Sequence, residues 1–243
     1  MNTLAIVQAR MGSRRLPGKV LLDLGGRTVL ARVVGRLKKS REIDKMVVAT
    51  TRQPADDVIV EVCESLQVSC FRGAEHDVLD RYYQAAHSYS ANTVVRVTAD
   101  CPLIGPKLVD ETIRVLGEER ADYASNLFPR TYPRGLDVEV FTLAALDRAW
   151  SEAREPYQRE HVTPYLYEHP QIFRLAVVRG GVDYSRYRWT LDTPEDLDLL
   201  RTIYSLFDGR DDFSWQEVLQ VMERKPKLAE LNSQVLQRSV FED

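Results

Sequence analysis

Short, continuous runs of apolar and β-branched residues recur along the chain, separated by more polar stretches. Such runs are typical of strands that are buried on both faces of a parallel sheet. They lie at residues 4–7, 46–50, 68–71, 93–98 and 137–141, with two later runs at 173–178 and 188–191. The pattern predicts a strand at each of these positions.

The stretches between the runs carry their apolar residues on one helical face. Thr28 precedes apolar residues at positions 29, 30, 33, 34 and 37, which is the spacing of an amphipathic helix. Similar stretches lie at 56–66, 78–90, 106–116, 143–153, 156–169 and 215–223. Pro164 should kink or split its stretch, and Asp192-Thr-Pro should begin another helix. We expect the helix at 215–223 to be peripheral.

Alternating strands and helices predict an α/β fold with a mostly parallel, Rossmann-like sheet and helices on both faces. Ligands of such sheets bind beyond the carboxyl ends of the strands. We expect a single domain over residues 1–225 and a C-terminal tail over 226–243. The proline- and arginine-rich loop 128–135 opens a subregion around 128–170 that we assign to acceptor binding and dimerisation.

Composition narrows the function classes. The 33 basic and 36 acidic residues leave a net charge of -3, which gives no field to attract nucleic acid or an anionic membrane. No apolar stretch is long enough for a signal peptide core or a membrane span. The three cysteines lack C-x-x-C spacing, which argues against a disulfide framework or a zinc site and favours a cytoplasmic location.

The segment after the first strand, residues 8–19, is a cationic loop with a glycine-rich character. It carries four cations and no carboxylate, together with Gly12, Ser13 and Gly18; the cations are Arg10, Arg14, Arg15 and Lys19. Positive charge, backbone N–H groups and close approach at glycine are what a polyphosphate needs. The spacing matches neither a Walker A loop nor G-x-G-x-x-G. A solvated basic loop is the alternative interpretation.

Two aspartates follow predicted strands and should meet at the same edge of the sheet. Asp100 comes after the strand at 93–98, and Asp192 comes after the run at 188–191. Mg2+ commonly takes one or two carboxylates together with phosphate oxygens, so this pair suffices for a metal site. Asp192 is also a good helix N-cap, and Asp100 also fits a simple turn before Pro102.

A second polar group follows in the predicted acceptor subregion. Its members are Arg130, Arg134, Asp137, Glu139, Arg159 and His161. The arginines favour an anionic acceptor. The alternative is structural, because Asp137 and Glu139 alternate with valines as on the polar face of a strand, and the later residues fit a helix surface or a dimer contact.

Several motifs together resemble the SpsF-type cytidylyltransferases, a family named for a spore-coat polysaccharide biosynthesis protein. They are VQARMGSRRLPGK (7–19), FRG (71–73), DVLDRY (77–82), VTADCPL (97–103), RGLDVEV (134–140), REHVTP (159–164) and WTLDTPEDL (189–197). The first and last are also similar, more distantly, to those of CMP-sugar synthetases for 3-deoxy-manno-octulosonate and nonulosonic acids. The octulosonate enzymes carry Gln-Gly-Asp-Glu-Pro at the position of residues 98–102, so acceptor identity does not transfer.

The resemblance implies a nucleotidyltransferase fold of the GT-A-like type, CTP as donor, Mg2+ as cofactor and a homodimer. It implies triphosphate contacts by Arg10, Ser13 and Lys19, and metal binding by Asp100 and Asp192. From the expected chemistry, we predict catalytic roles for Arg10, Lys19 and Asp100. The nucleotide-binding set comprises Ala9, Arg10, Gly12, Ser13, Arg15, Lys19 and Arg72, and the acceptor set comprises Arg134, Asp137, Glu139, Arg159 and His161.

The expected reaction transfers CMP from CTP to a sugar acid or sugar phosphate, with release of pyrophosphate, in polysaccharide or surface-glycan biosynthesis. Attack by the acceptor oxygen on the α-phosphorus requires no protein nucleophile. Two alternatives remain at this point: a nucleotide-sugar-dependent glycosyltransferase, although such enzymes usually carry an Asp-x-Asp pair that is missing around Asp100 and Asp192, and a non-catalytic nucleotide-binding partner protein.

Overall fold

The computed structural model describes residues 2–237, and its centre is a seven-stranded sheet. The strands are β1 (Thr3–Gln8), β2 (Lys45–Thr51), β3 (Ser69–Gly73), β4 (Thr93–Thr98), β5 (Tyr123–Ser125), β6 (Glu139–Thr142) and β7 (Leu175–Val177). Their spatial order is β3-β2-β1-β4-β6-β5-β7. The pairs from β3 to β4 are all parallel, whereas β6 runs antiparallel to both β4 and β5. The predicted mostly parallel α/β sheet is confirmed.

Nine α-helices lie within residues 2–237, seven between strands and two after the last strand. They are α1 (Val29–Leu37), α2 (Asp57–Ser65), α3 (Val78–Ser88), α4 (Pro106–Glu118), α5 (Leu143–Glu152), α6 (Pro156–His161), α7 (Pro164–Tyr167), α8 (Pro194–Leu206) and α9 (Trp215–Arg224). Short 3-10 turns span Lys19–Leu21, Pro54–Asp56 and Pro226–Glu230. Pro164 divides its stretch into α6 and α7, as its missing N–H and fixed φ require.

The helices cover both faces of the sheet, and strand alternation sends side chains into two separate cores. In β1, Ala5 and Val7 enter one of these cores, called the first core below, which is formed with α1, α2, α4, α8 and α9. Leu4 and Ile6 enter the opposite layer, formed with α3, α5 and α7. All four are completely buried, so β1 lies in the middle of the molecule and its carboxyl end is held on both sides.

Several sequence expectations differ from the structure. No strand forms at 188–191; Arg188 makes only a single bridge to Arg134, because the backbone of this segment bonds to the loop residues Arg134 and Asp100 and to no strand. Strand β5 has only three residues, too few for a periodic pattern, and was not predicted. The helix at 215–223 is not peripheral, because Val218 and Met222 are buried in the first core. No helix in the described part of the chain is long and apolar enough to cross a membrane.

Candidate active site

A cavity of about 430 Å³ opens at the carboxyl ends of β1 and β4. Its walls are predominantly polar. The cationic loop contributes Arg10, Ser13, Arg14, Arg15 and Lys19 to one wall. This is the edge at which ligands bind in parallel α/β sheets, so the structure brings the predicted loop to the predicted place.

The cationic loop is folded back on itself by a few backbone contacts. The carbonyl of Met11 accepts hydrogen bonds from the N–H groups of Ser13 and Gly18, both at 2.9 Å. Gly18 adopts a left-handed conformation (φ 69), which glycine takes at little cost, and Lys19 then begins a 3-10 turn. The turn directs the Lys19 side chain back across the sheet edge, toward the segments that follow β4 and precede α8.

Asp56 holds the start of the cationic loop, a role that the sequence did not predict. Its Oδ1 accepts from the Met11 N–H at 2.7 Å, and its Oδ2 accepts from the hydroxyls of Thr50 and Thr51. Burial opposes the charged carboxylate, but the hydrogen bonds from Thr51, Met11 and Thr50 outweigh it and lower the pKa of Asp56. The ionised side chain therefore fixes the start of the cationic loop against β2.

Lys19 lies between the two predicted metal-binding aspartates. Its Nζ is 2.6 Å from Asp100 Oδ2 and 2.8 Å from Asp192 Oδ1, and it also donates to the Leu191 carbonyl at 2.9 Å. Burial opposes the ammonium charge, yet the two carboxylates outweigh it and raise the pKa of Lys19. One oxygen from each aspartate therefore faces the same point, which the Lys19 ammonium occupies.

Asp192 has further cationic neighbours on its other oxygen. Oδ2 is 2.7 Å from Arg188 and 3.0 Å from Arg15. Burial opposes its negative charge, but Lys19, Arg15 and Arg188 together lower the pKa of Asp192. The helix-cap interpretation of Asp192 is wrong, because the N-cap of α8 is Thr193, whose side chain accepts from the Asp196 N–H.

Asp100 is likewise more than a turn residue. Its Oδ1 accepts a hydrogen bond from the Thr98 hydroxyl at 2.6 Å, and its backbone carbonyl accepts from the Leu191 N–H at 2.9 Å. These bonds join the end of β4 to the segment that carries Asp192. The two aspartates are therefore fixed relative to each other by the backbone as well as by Lys19.

The site fits a divalent cation held by two protein carboxylates. Within residues 2–237, no group of three or more histidine, cysteine, aspartate or glutamate side chains is arranged as a metal cage. A hard ion such as Mg2+ does not need one, because substrate phosphates and waters complete its octahedral shell. The paired oxygens of Asp100 and Asp192 at this edge of the sheet match that requirement.

The cavity is also lined by most of the predicted acceptor set. Arg134, Asp137, Glu139 and His161 all line the cavity. Arg130 donates two hydrogen bonds to the Asp137 carboxylate, at 2.5 and 3.0 Å, and so pairs with its charge. Burial, together with the positive charge of Arg130, lowers the pKa of Arg134. Arg134 is thus a half-buried cation whose neighbourhood compensates its charge incompletely.

Glu139 is committed to structural contacts although it lines the cavity. It is 3% exposed and accepts hydrogen bonds from Tyr123 at 2.8 Å and Thr163 at 2.5 Å, and it pairs with Arg96. Burial opposes the Arg96 charge, but Glu139 outweighs it and raises the pKa of Arg96. This pair ties β4, β5 and β6 to the segment between α6 and α7.

Other predicted site residues lie away from the cavity. Arg159 forms two hydrogen bonds with Asp77, at 2.5 and 3.0 Å, and so fastens α6 to α3 instead of facing the acceptor. Arg72 is bonded to the Thr51 and Gln53 carbonyls and pairs with Asp57. Two backbone positions of the predicted nucleotide-binding set, Ala9 and Gly12, belong to the cationic loop but do not line the cavity; Ala9 is buried.

The cavity also includes residues that the sequence did not single out. Gln8 and Arg96 come from the strands, Glu160 from α6, and Gln237 from the end of the described chain. Arg96 had a signal, since a charged residue interrupts an otherwise apolar strand. Nothing in the sequence pattern marks Gln237.

The chain is similar over nearly its full length to cytidylyltransferases. It is 34% identical, over 94% of this chain and 97% of the relative, to the spore coat polysaccharide biosynthesis protein SpsF of Bacillus subtilis. It is 29% identical to the 3-deoxy-manno-octulosonate cytidylyltransferase of Anaeromyxobacter sp., over 82% of this chain and 95% of that one. These similarities confirm the resemblance found in the motifs.

A solved structure gives the same answer. The cytidylyltransferase of Leptospira borgpetersenii superposes with a TM-score of 0.91 at 37% identity, covering 98% of this chain and 99% of that chain. The sequence profile of the family described as cytidylyltransferase matches residues 4–227. The chain therefore belongs to the cytidylyltransferase family and is a cytidylyltransferase with a nucleotidyltransferase-type α/β fold.

Proposed function

We propose that the protein transfers CMP from CTP to an anionic sugar-type acceptor, a sugar acid or sugar phosphate, and releases pyrophosphate with the help of Mg2+. The observation that carries this proposal is the convergence of Asp100 and Asp192 on Lys19 Nζ, in a cavity that Arg134 also lines. Phosphate chemistry and acceptor binding then take place in the same cavity.

The cationic loop is the phosphate-binding element of this proposal. Arg10, Ser13 and Lys19 supply two charges and a hydroxyl on the same wall. Arg10 is available for phosphate, because its distance to Glu160 is 4.0 Å, long for an ion pair, and each of the two side chains is 36% exposed. Arg15 adds a further charge next to Asp192. Positive charge in a partly closed site stabilises a triphosphate and its departing pyrophosphate.

In the chemical step, an acceptor oxygen attacks the α-phosphorus in line. The new oxygen–phosphorus bond forms as the bond to the bridging oxygen breaks, and pyrophosphate leaves with the electron pair. Lys19 and Arg10 stabilise the negative charge that accumulates on the leaving group, as a point charge and a planar fork respectively. A phosphate oxygen of a sugar phosphate is already ionised at neutral pH and needs no protein base, whereas a hydroxyl oxygen of a sugar acid gives up its proton to water as the new bond forms.

Asp100 and Asp192 are the residues that would hold Mg2+ in this site. When bound, the ion would supply charge neutralisation at the phosphate oxygens. The protein's part is to keep the two carboxylates together. Lys19 already does this in the structure, since its ammonium compensates both negative charges at hydrogen-bond distance.

Arg134 is the proposed anchor for the acceptor's negative charge. The neighbouring Arg130 is neutralised by Asp137, whereas the half-buried Arg134 lines the cavity, where burial and the charge of Arg130 lower its pKa. The names of relatives agree with an anionic sugar, since one is a cytidylyltransferase of 3-deoxy-manno-octulosonate and another a polysaccharide biosynthesis protein. We place the protein in polysaccharide or surface-glycan biosynthesis on this basis.

A homodimer is also part of the proposal. Apolar side chains are exposed along the β7 edge and the loops beside it, namely Phe128, Val177 and Val182. An apolar edge of this kind is what a symmetric partner copy would cover. Light scattering of the purified chain tests this part, because a monomeric mass would contradict it.

The activity is tested by measuring pyrophosphate release from each of the four ribonucleoside triphosphates with Mg2+. The acceptor panel contains sugar phosphates and 2-keto sugar acids, including 3-deoxy-manno-octulosonate. Release that requires CTP, Mg2+ and one acceptor supports the proposal, and Asp100→Ala supplies the inactive control. Binding of CTP without pyrophosphate release across the panel would contradict it.

A further inference from the structure

The C-terminal segment, residues 226–237, reaches the active site although the family profile ends at residue 227. The segment starts with the 3-10 turn Pro226–Glu230, whose Leu228 and Ala229 pack against the first core. It continues to Gln237, which lines the active-site cavity. Part of the cavity wall therefore comes from residues beyond the matched range of the family profile.

Asn232 is the buried polar residue of this segment. It is 4% exposed, whereas its neighbours Leu231 and Ser233 are exposed. Its Nδ2 donates one hydrogen bond to the Arg188 carbonyl at 2.9 Å and another to Asp196 Oδ1 at 2.8 Å. Both N–H groups of the amide are thus used, which is what burial of a polar side chain demands.

The Asp196 carboxylate that receives this bond is completely buried. It also accepts from Arg188 Nε at 2.9 Å and from the backbone N–H of Asp192 at 2.9 Å. A buried charge keeps one orientation only while its donors are in place, because each missing donor leaves an uncompensated lone pair. Asn232 is one of the donors that hold Asp196.

Arg188 links Asp196 to Asp192, because its guanidinium donates hydrogen bonds to both carboxylates. Its Nη2 donates to Asp192 Oδ2 at 2.7 Å, and its Nη1 donates to Gln237 Oε1 at 2.7 Å. With Oδ2 held by Arg188, the other oxygen of Asp192 faces Lys19 and the Asp100 side of the site. A continuous series of hydrogen bonds therefore runs from Asn232 to the carboxylate pair.

We propose that Asn232 is a positioning residue for Asp192. By holding Arg188 and Asp196 together, it fixes the rotamer in which Asp192 Oδ1 lies beside Asp100 and the two can hold a divalent cation. This inference rests on the proposed function of the carboxylate pair. Residues that orient metal-binding side chains commonly change metal affinity when they are replaced.

The test compares Asn232→Ala with Leu228→Ala in the full chain. Leu228→Ala is the matched control, because it weakens packing of the same segment without removing a hydrogen bond to Asp196. Mn2+ binding in the presence of CTP is measured by electron paramagnetic resonance, with thermal unfolding and metal-free CTP binding measured in parallel. We expect Asn232→Ala to weaken Mn2+ binding by about tenfold while metal-free CTP binding stays unchanged.

Three results would overturn the inference: unaltered Mn2+ affinity in Asn232→Ala, an equal loss of affinity in Leu228→Ala, or no Mn2+ binding by the unsubstituted protein. The measurement needs no acceptor, so it separates the two proposals. A protein that binds Mn2+ with CTP but releases no pyrophosphate across the acceptor panel contradicts the proposed function, and the comparison of Asn232→Ala with its control still decides the positioning role.

Discussion

Asp100 and Asp192 accept hydrogen bonds from the same nitrogen, Lys19 Nζ, at 2.6 and 2.8 Å. Two carboxylates facing one point repel each other unless a cation lies between them. Lys19 meets this need in the structure, and the proposed Mg2+ would meet it during turnover. The lysine holds the two carboxylates together, and the proposed function gives it a second, separable role in binding phosphate.

Replacing Lys19 with methionine separates these roles. The variant should lose about 100-fold or more in pyrophosphate release, in line with removal of a charge that stabilises a developing anion. It should also unfold at a lower temperature without Mg2+, because Asp100 and Asp192 then repel, and adding Mg2+ should recover more stability than in the unsubstituted protein. Lys107→Met, at an exposed position, is the control; equal responses to Mg2+ in both variants would refute the shared-cation account.

Replacing Asp100 with asparagine keeps the shape of the side chain but removes its charge. We expect the Mg2+ concentration for half-maximal pyrophosphate release to rise by at least about tenfold and turnover to fall, since one of two carboxylate ligands is lost. The fold should persist, because the backbone contact between Asp100 and Leu191 does not involve the side chain. An Mg2+ titration checks this, and an unchanged requirement would remove Asp100 from the metal site.

The sequence predicted the parts of this site that follow directly from sheet geometry. Buried strands such as β1 and β4 have strong apolar signals, and the carboxyl ends of parallel strands meet at one edge. The cationic loop and Asp100 therefore came together as expected. Asp192 also reached this edge, although its preceding segment forms a single bridge at Arg188 and no strand.

Side-chain pairing between distant segments was not predictable in the same way. Arg159 and Glu139 look like acceptor ligands in the sequence, but Arg159 pairs with Asp77 and Glu139 with Arg96. Such choices depend on which charges the tertiary fold brings within hydrogen-bond distance, and local spacing does not encode them. Asn232 escaped notice for the same reason, as nothing near it in sequence indicates a buried partner.

Asp56 should make folding stability depend on pH. Its folded pKa lies below the ordinary value of 3.8, so its contribution is complete above about pH 4 and is lost as pH falls through the folded value. Asp56→Asn should therefore cost about 1.5–3 kcal/mol at pH 7, the range for hydrogen bonds to a charged group, with a smaller difference at pH 3. Urea unfolding at both pH values tests this; Asp198→Asn, an exposed position, should show neither effect.

Glu139 should behave as a structural residue. Glu139→Gln leaves the Arg96 guanidinium buried without its counter-charge, and breaking a buried ion pair from one side typically costs about 3–5 kcal/mol of folding stability. We expect a large drop in the free energy of unfolding with little change in acceptor KM for the folded fraction. Urea unfolding and steady-state kinetics on the same preparation test this. If Glu139 binds the acceptor instead, Glu139→Gln should raise acceptor KM and leave the free energy of unfolding nearly unchanged.

Arg134 and Arg159 provide a matched pair for locating the acceptor. Arg134 lines the cavity as an incompletely compensated cation, whereas Arg159 is occupied by Asp77 outside the cavity. Arg134→Ala should raise acceptor KM by about 10–100-fold, as expected for a hydrogen bond to a charged group, while the CTP dissociation constant stays the same. Arg159→Ala should lower thermal stability and leave acceptor KM unchanged.

The reason for this contrast is that an anion bound near Arg134 replaces water around a half-buried charge, whereas Arg159 already has a carboxylate partner. Steady-state kinetics with the acceptor identified in the panel, together with calorimetric CTP binding, measure both quantities in both variants. If Arg134→Ala weakens CTP binding instead, Arg134 is part of the nucleotide-binding site and not of the acceptor site. If Arg159→Ala alone raises acceptor KM, the acceptor lies against α6 and α3, and the cavity assignment of the acceptor is wrong.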